Sequence, residues 1–204
     1  MDIKKLITVL CIFATTLLAH AQTEIALPAP NKTGGKPLME ALNDRQSLKT
    51  YVKKEMDKQT LSNLLWATYG FNREDKRVVP SSQNRQEIDL YVMFEDGVYF
   101  YDAKANVLKQ TAKGDFRKGL GNQAFVNDAV LNFLFVANLN KASNRDAAII
   151  DSGFLIQNAY LFCASSDDLG TVARGSHNRK QLHSDLGLTD DQEVILTQAV
   201  GYIK

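Results

Sequence analysis

Hydrophobic and polar positions along the chain alternate between a helical and an extended period. Leu61, Leu64, Leu65, Thr68 and Tyr69 recur at i, i+3, i+4, i+7 and i+8, one stripe of a helix. Asp57 stands where its N-cap belongs and Gly70 where it should stop. Residues 88–94 read as a strand, Asp96-Gly97 as a hairpin turn and residues 98–101 as the returning strand. Residues 130–137 are apolar almost throughout, the pattern of a strand buried on both faces. Residues 146–165 predict a long helix carrying Ile149, Ile150, Phe154, Ile156, Leu161 and Phe162 around most of its circumference. Such a helix belongs deep in the core or at a subunit interface. A short strand at 171–174, a helix at 178–186 and a last strand at 194–203 complete the pattern. Near the start, Met39, Glu40, Ala41 and Leu42 suit a short helix, with Pro37 in its first turn. Helices and strands interleave without a regular βαβ rhythm, which predicts an α+β fold rather than a doubly wound sheet.

The first residues change the picture of where the chain works. Lys4 and Lys5 precede an apolar run from 6 to 18 and then Ala19-His20-Ala21, the layout of a secretory leader cut after Ala21. The run is shorter than the roughly 20 residues a membrane-spanning helix needs. The expectation is an exported protein, periplasmic or secreted, with no stable membrane anchor after cleavage. Residues 22–36, with Pro28, Pro30 and Gly34-Gly35, read as an extended or disordered lead-in, and residues 37–204 as one domain. Loss of residues 1–21 removes two Lys and one Asp from 24 basic and 23 acidic side chains, leaving the two signs equal. That balance argues against a broad nucleic-acid-binding patch. Cys11 leaves with the leader, so Cys163 stands alone among Leu161, Phe162 and Ala164 and reads as a packed thiol.

Four segments carry candidate chemistry. In Arg45-Gln46-Ser47-Leu48-Lys49, extended backbone sends Arg45, Ser47 and Lys49 to one face, with Tyr51 just beyond. Two cations and a hydroxyl on one face suit a phosphate; a solvated surface carries the same residues without any ligand. Pro80-Ser81-Ser82-Gln83-Asn84-Arg85-Gln86 offers hydroxyls and an amide to the edge of a flat heterocycle. Gly121-Asn122-Gln123 precedes the apolar strand, and either amide could serve a ligand or cap a helix. Gly170-Thr171-Val172-Ala173-Arg174-Gly175 follows the long helix. His177 adjoins this last segment and could touch a ligand, whereas His183 reads as surface; neither sits in a cluster with metal-ligand spacing.

These four segments, in this order, resemble the nitroreductase family over about residues 37–204. The resemblance implies an α+β, nitroreductase-like fold: a central, mostly antiparallel sheet flanked by helices, in a homodimer. It implies FMN as cofactor. Arg45, Gln46, Ser47 and Lys49 would meet the phosphate. Pro80, Ser81, Ser82 and Asn84 would border the flavin of the partner subunit, and Asn122 or Gln123 the ring or ribityl chain. Ala173, Arg174 and Gly175 would face the N5 side through backbone N–H groups. Many relatives have an acidic residue where Arg174 stands, which makes Arg174 a candidate specificity residue. Relatives commonly add a basic pair after the last strand, where this chain has Lys204 alone. The implied activity is an FMN-dependent oxidoreduction of a small-molecule substrate, with NAD(P)H as one candidate donor and no side-chain acid or base required. Because free NAD(P)H is scarce outside the cytoplasm, the branch that oxidises thiazoline or oxazoline rings in peptides is a candidate. The alternatives are a non-catalytic flavin carrier and a dimeric domain with no cofactor.

Overall fold

The structure, a computed structural model, describes residues 23–204. The predicted leader and its cleavage point lie outside the described residues. Strand β1 (Glu24–Ala26) is followed by helices α1 (Leu38–Asp44) and α2 (Lys58–Tyr69). The meander β2 (Ile88–Met93), β3 (Gly97–Asp102) and β4 (Val107–Lys113) comes next. A short helix α3 (Phe125–Asp128) precedes strand β5 (Leu131–Asn138), the long helix α4 (Arg145–Ala164) and strand β6 (Leu169–Arg174). Helix α5 (Arg179–Asp185) and strand β7 (Gln192–Tyr202) end the fold. The strands form one seven-stranded sheet ordered β1-β4-β3-β2-β5-β7-β6, with every neighbouring pair antiparallel.

Burial on both faces explains the apolar run of β5. Leu131, Phe133, Phe135 and Ala137 join the core beneath α2 and α4, while Leu134 and Val136 join a second core beneath α5. Helix α2 starts as its sequence requires, with the Asp57 carboxylate accepting from the backbone N–H groups of Gln59 and Thr60 at 2.9 Å each. Its stripe of Leu61, Leu64, Leu65, Thr68 and Tyr69 is buried. Pro37 sits one place earlier than predicted, at the N-cap of α1.

Among the described helices, α4 alone is long and apolar enough to cross a membrane, yet it packs on α2, β6 and β7. Its other side exposes Ile150 and Phe154, 61% and 41% accessible, so its two faces differ more than its composition suggests.

Strand β4 and the short helix α3 were not legible in the sequence, and the lead-in takes the extended of its two expected forms: Glu24–Ala26 pairs with β4 at the sheet edge. Asn106 fastens the lead-in from a left-handed backbone conformation (φ 53°) that asparagine tolerates. Its side-chain amide donates to the carbonyl of Pro28 at 2.8 Å and to the Ser62 hydroxyl at 3.1 Å. Asn106→Ala should therefore lower stability by about 2 kcal/mol through lost hydrogen bonds and backbone strain. Urea unfolding measures that loss, and amide exchange should show it concentrated at residues 24–28.

Candidate functional site

Past α1, residues 45–50 run extended along the open edge of β6, where the Leu48 N–H donates to the Thr171 carbonyl at 3.0 Å. Leu48 faces inward, and a Cβ on Gly170 would stand 3.0 Å from its own Cβ, so glycine allows the two segments to meet. Alternation then turns Arg45, Ser47 and Lys49 the other way. Ser47 Oγ lies 3.0 Å from the hydroxyl of Tyr160 on α4, and that hydroxyl accepts from the Ala173 N–H at 2.9 Å. The Arg45 guanidinium carbon stands 5.3 Å from the Tyr160 ring centroid. Among the described residues neither Arg45 nor Lys49 enters a salt bridge, so both charges are available to an anion. A cavity of about 470 Å³ opens beside Arg45, lined also by Leu48, Tyr160, Thr171 and the carboxylates Asp44 and Asp167; Ser47 and Lys49 lie outside its lining.

The third and fourth segments also converge. Gly121 ends a 3-10 turn (Arg117–Leu120) with φ 101°, a conformation that favours glycine. The chain then places Gln123 so that its side-chain Oε1 accepts from Arg174 Nε at 2.9 Å. The Arg174 guanidinium carbon lies 5.4 Å from the Phe125 ring centroid. Asn122 is exposed and takes no part in this contact, which separates the two amides that the sequence left equivalent. Arg174 is buried rather than presented at the strand edge, and burial pulls its pKa down. The Ala173 N–H, expected to face a ligand, is already taken by Tyr160. Gly175, exposed just past the strand end, keeps an N–H with no partner among the described residues. His177 Nε2 is 3.0 Å from the Val194 carbonyl, and burial and the charges of Arg179 and Arg174 hold its pKa below the usual value.

The second segment stands apart. Pro80 is exposed. Ser81 Oγ accepts from the Gln86 N–H at 3.0 Å, and the Ser82 N–H donates to Asp151 on α4 at 2.8 Å. Asn84 Oδ1 accepts from the Gln86 side chain at 3.1 Å. Gln83, Asn84 and Gln86 all hold positive φ, at 52°, 56° and 50°, so the loop stores backbone strain of order 1 kcal/mol per residue. Its anchor, Asp151, lies nine residues before Tyr160, about 13 Å along the helix axis. Within one chain the loop therefore does not join the other three segments.

Beneath this loop is a feature the sequence did not reveal. Glu87 is wholly buried, and neither carboxyl oxygen meets a hydrogen-bond donor. Its acidic neighbour is the buried Asp151 carboxyl. Burial, followed by Asp151, pushes the Glu87 pKa up to about 6. Tyr160, Glu87 and Asp151 are the site residues that local pattern missed. The signal is the single Tyr of α4 and an Asp at its buried middle, flanked by Ile150 and Ser152.

Among the described residues no three His, Cys, Asp or Glu side chains gather to hold a metal. Cys163 is buried, and desolvation raises its thiol pKa.

An all-antiparallel sheet flanked by helices defines an α+β fold, and two cations and a hydroxyl beside its edge strand suit an anionic ligand. The chain belongs to the nitroreductase family, whose model it matches over residues 42–202. A protein described as a nitroreductase, from Ralstonia eutropha JMP134, is 36% identical over 89% of this chain and 90% of its own, with TM-score 0.82. Two more distant structures share the fold. One, described as a nitroreductase in complex with FMN, from Desulfovibrio desulfuricans, is 18% identical over 83% of this chain and 87% of its own, with TM-score 0.61. The other is an E. coli microcin synthetase McbBCD complex with truncated pro-MccB17 bound, 13% identical over 100% of this chain and 95% of that one, with TM-score 0.68. No curated protein matches the chain.

The buried acid pair has a pH consequence with a definite sign. A carboxyl whose folded pKa is raised adds stability that is fully present below its unfolded value, near 4.5, and lost as pH rises through about 6. Glu87→Gln removes that dependence. The variant should be more stable than the parent at pH 8 by of order 1 kcal/mol, solvent screening included, with the gap closing by pH 4.5. Paired urea melts at the two pH values check this.

Proposed function

We propose that the protein is an exported, FMN-dependent oxidoreductase acting as a homodimer on a small organic substrate. The observation that carries this reading is the conjunction at the β6 edge. Arg45 and Lys49 are free of carboxylates, Ser47 is tied to the Tyr160 hydroxyl, and the open N–H of Gly175 lies beyond the same strand. The donor set fits a flavin mononucleotide. Arg45 forks onto phosphate oxygens while Lys49 adds a point charge and Ser47 a hydroxyl. When bound, FMN supplies the hydride chemistry at its N5 atom, between a donor such as NAD(P)H or the substrate itself and an acceptor. The chain's own work is position and electrostatics. Tyr160 holds Ser47 and β6 together, Gly175 offers its N–H to the ring side, and Arg174 sets the local charge.

Surfaces left open in one chain support the homodimer. Along the outer face of α4, Ile150 and Phe154 are exposed around Gly153, where an added Cβ would meet nothing within 4 Å. Leu38, Met39 and Leu42 of α1 are exposed as well. A glycine amid apolar neighbours admits the backbone of a second helix. The strained loop 80–86, fixed to the same helix by Asp151, then completes the site of the other subunit.

Mature protein titrated with FMN should quench flavin fluorescence, and anaerobic mixing with NADPH, NADH or an organic donor should bleach the bound chromophore. Binding without bleaching by any donor would instead indicate a flavin carrier; no binding would end the reading. Arg45→Ala should weaken FMN binding by about 2–4 kcal/mol. Unchanged flavin content in that variant contradicts the phosphate assignment. Phe154→Glu should shift the protein to monomer in sedimentation velocity and lower its flavin content in parallel.

A further inference from the structure

On the sheet face opposite α4, Arg174 of β6 and Thr197 of β7 are register partners, so their side chains lie side by side. Both are buried, at 8% and 1% accessibility, and both are under-bonded: among the described residues Arg174 Nη1 and the Thr197 hydroxyl have no partner. Among the described residues no carboxylate forms a salt bridge with the guanidinium, and burial lowers its pKa. It has only the Gln123 amide oxygen and the Phe125 ring face. A desolvated cation against a neutral acceptor is poorly compensated, and buried donors without partners are rare in folded proteins.

The cover over this pair is light. Gln123 is exposed and meets Arg174 through one side-chain hydrogen bond, so it can swing outward without disturbing either core. Gly121 lies over Nη2, where even a Cβ would stand 3.5 Å away, and glycine keeps that approach open.

We propose that Arg174 and Thr197 form a carboxylate-binding site covered by the Gln123 side chain, and that the substrate served by this site is a small organic carboxylate. The incoming carboxylate replaces the amide oxygen, accepts from the guanidinium fork and takes the Thr197 hydroxyl as a further donor; no bond is made or broken. The exchange is favourable because a charge-assisted hydrogen bond is worth more than a neutral one. The proposal rests on the flavin-site reading only in naming the ligand as the substrate. A reduced flavin ring is the other anion the cation could serve.

Calorimetric titration of the flavin-loaded protein with benzoate, and with uncharged benzamide as its isostere, tests the site. Benzoate should bind at least about tenfold more tightly. Arg174→Gln should erase the difference and Arg174→Lys restore part of it. Gln123→Ala, on the exposed cover, should tighten benzoate roughly threefold, and this holds the test open if Arg174→Gln fails to fold. Equal binding of the two probes, or discrimination that survives Arg174→Gln, overturns the proposal. Equal binding together with a flavin potential lowered by about 30 mV in Arg174→Gln, a tenfold change in a two-electron equilibrium, assigns the cation to the cofactor instead. Flavin content is read from visible absorbance on the same samples. Benzoate discrimination without flavin would sink the proposed function and leave the carboxylate site standing.

Discussion

The hydroxyl of Tyr160 is the junction on which the site depends. It belongs to the long helix, accepts from the backbone of the edge strand and meets Ser47, a residue 113 positions away in sequence. One polar atom thereby sets the spacing among helix, strand and the extended basic segment. The Leu48 N–H reinforces this from the other side of the segment by pairing with Thr171. Because β6 has no neighbouring strand on that side among the described residues, these contacts also blunt an edge that would otherwise pair freely.

The remainder of the molecule is arranged so that this edge can stay open. Two large hydrophobic cores, one per sheet face, pack around β5 and β7 behind the site, and a small third cluster of Tyr51, Ala129, Val172 and Ala199 lies beside it. Strain and uncompensated polarity concentrate elsewhere: in the left-handed loop 80–86, at the Glu87–Asp151 acid pair and at Arg174. Such departures from good packing and pairing are the usual mark of places under functional rather than structural demand.

Where physics is local, the sequence is readable. The stripe of α2 and its Asp57 cap, the Asp96-Gly97 hairpin and the doubly buried β5 each follow from spacing within a few residues. Strand β4 escaped notice because Leu108 is its only fully buried side chain, and Lys109, Gln110 and Lys113 obscure the alternation. The choice between an extended and a disordered lead-in stayed open because its partners, Ser62 and Asn106, lie far along the chain. In the site, parity made the shared face of Arg45, Ser47 and Lys49 legible, and the phosphate reading came from resemblance. The Tyr160 junction, the acid pair and the Arg174–Thr197 neighbours were not, since each joins elements whose proximity only the sheet order determines. Resemblance brought Gln123 and Arg174 to attention, and coordinates showed them bonded to each other.

The strand order also governs when the ligand edge can exist. Strands β2, β3 and β4 are consecutive and close by short turns, so they can pair as soon as they are made. Strand β7 is the last described strand, yet it lies between β5 and β6. Until residues 192–202 are available, β6 has no strand to pair with and the rim beside the basic segment is not fixed in the sheet. A nascent chain therefore carries a finished meander and an unbuilt ligand half, with the apolar margin of β5 bare. Acquisition of any bound group is deferred to the end of folding, and the interval before closure is when the chain most needs protection from self-association.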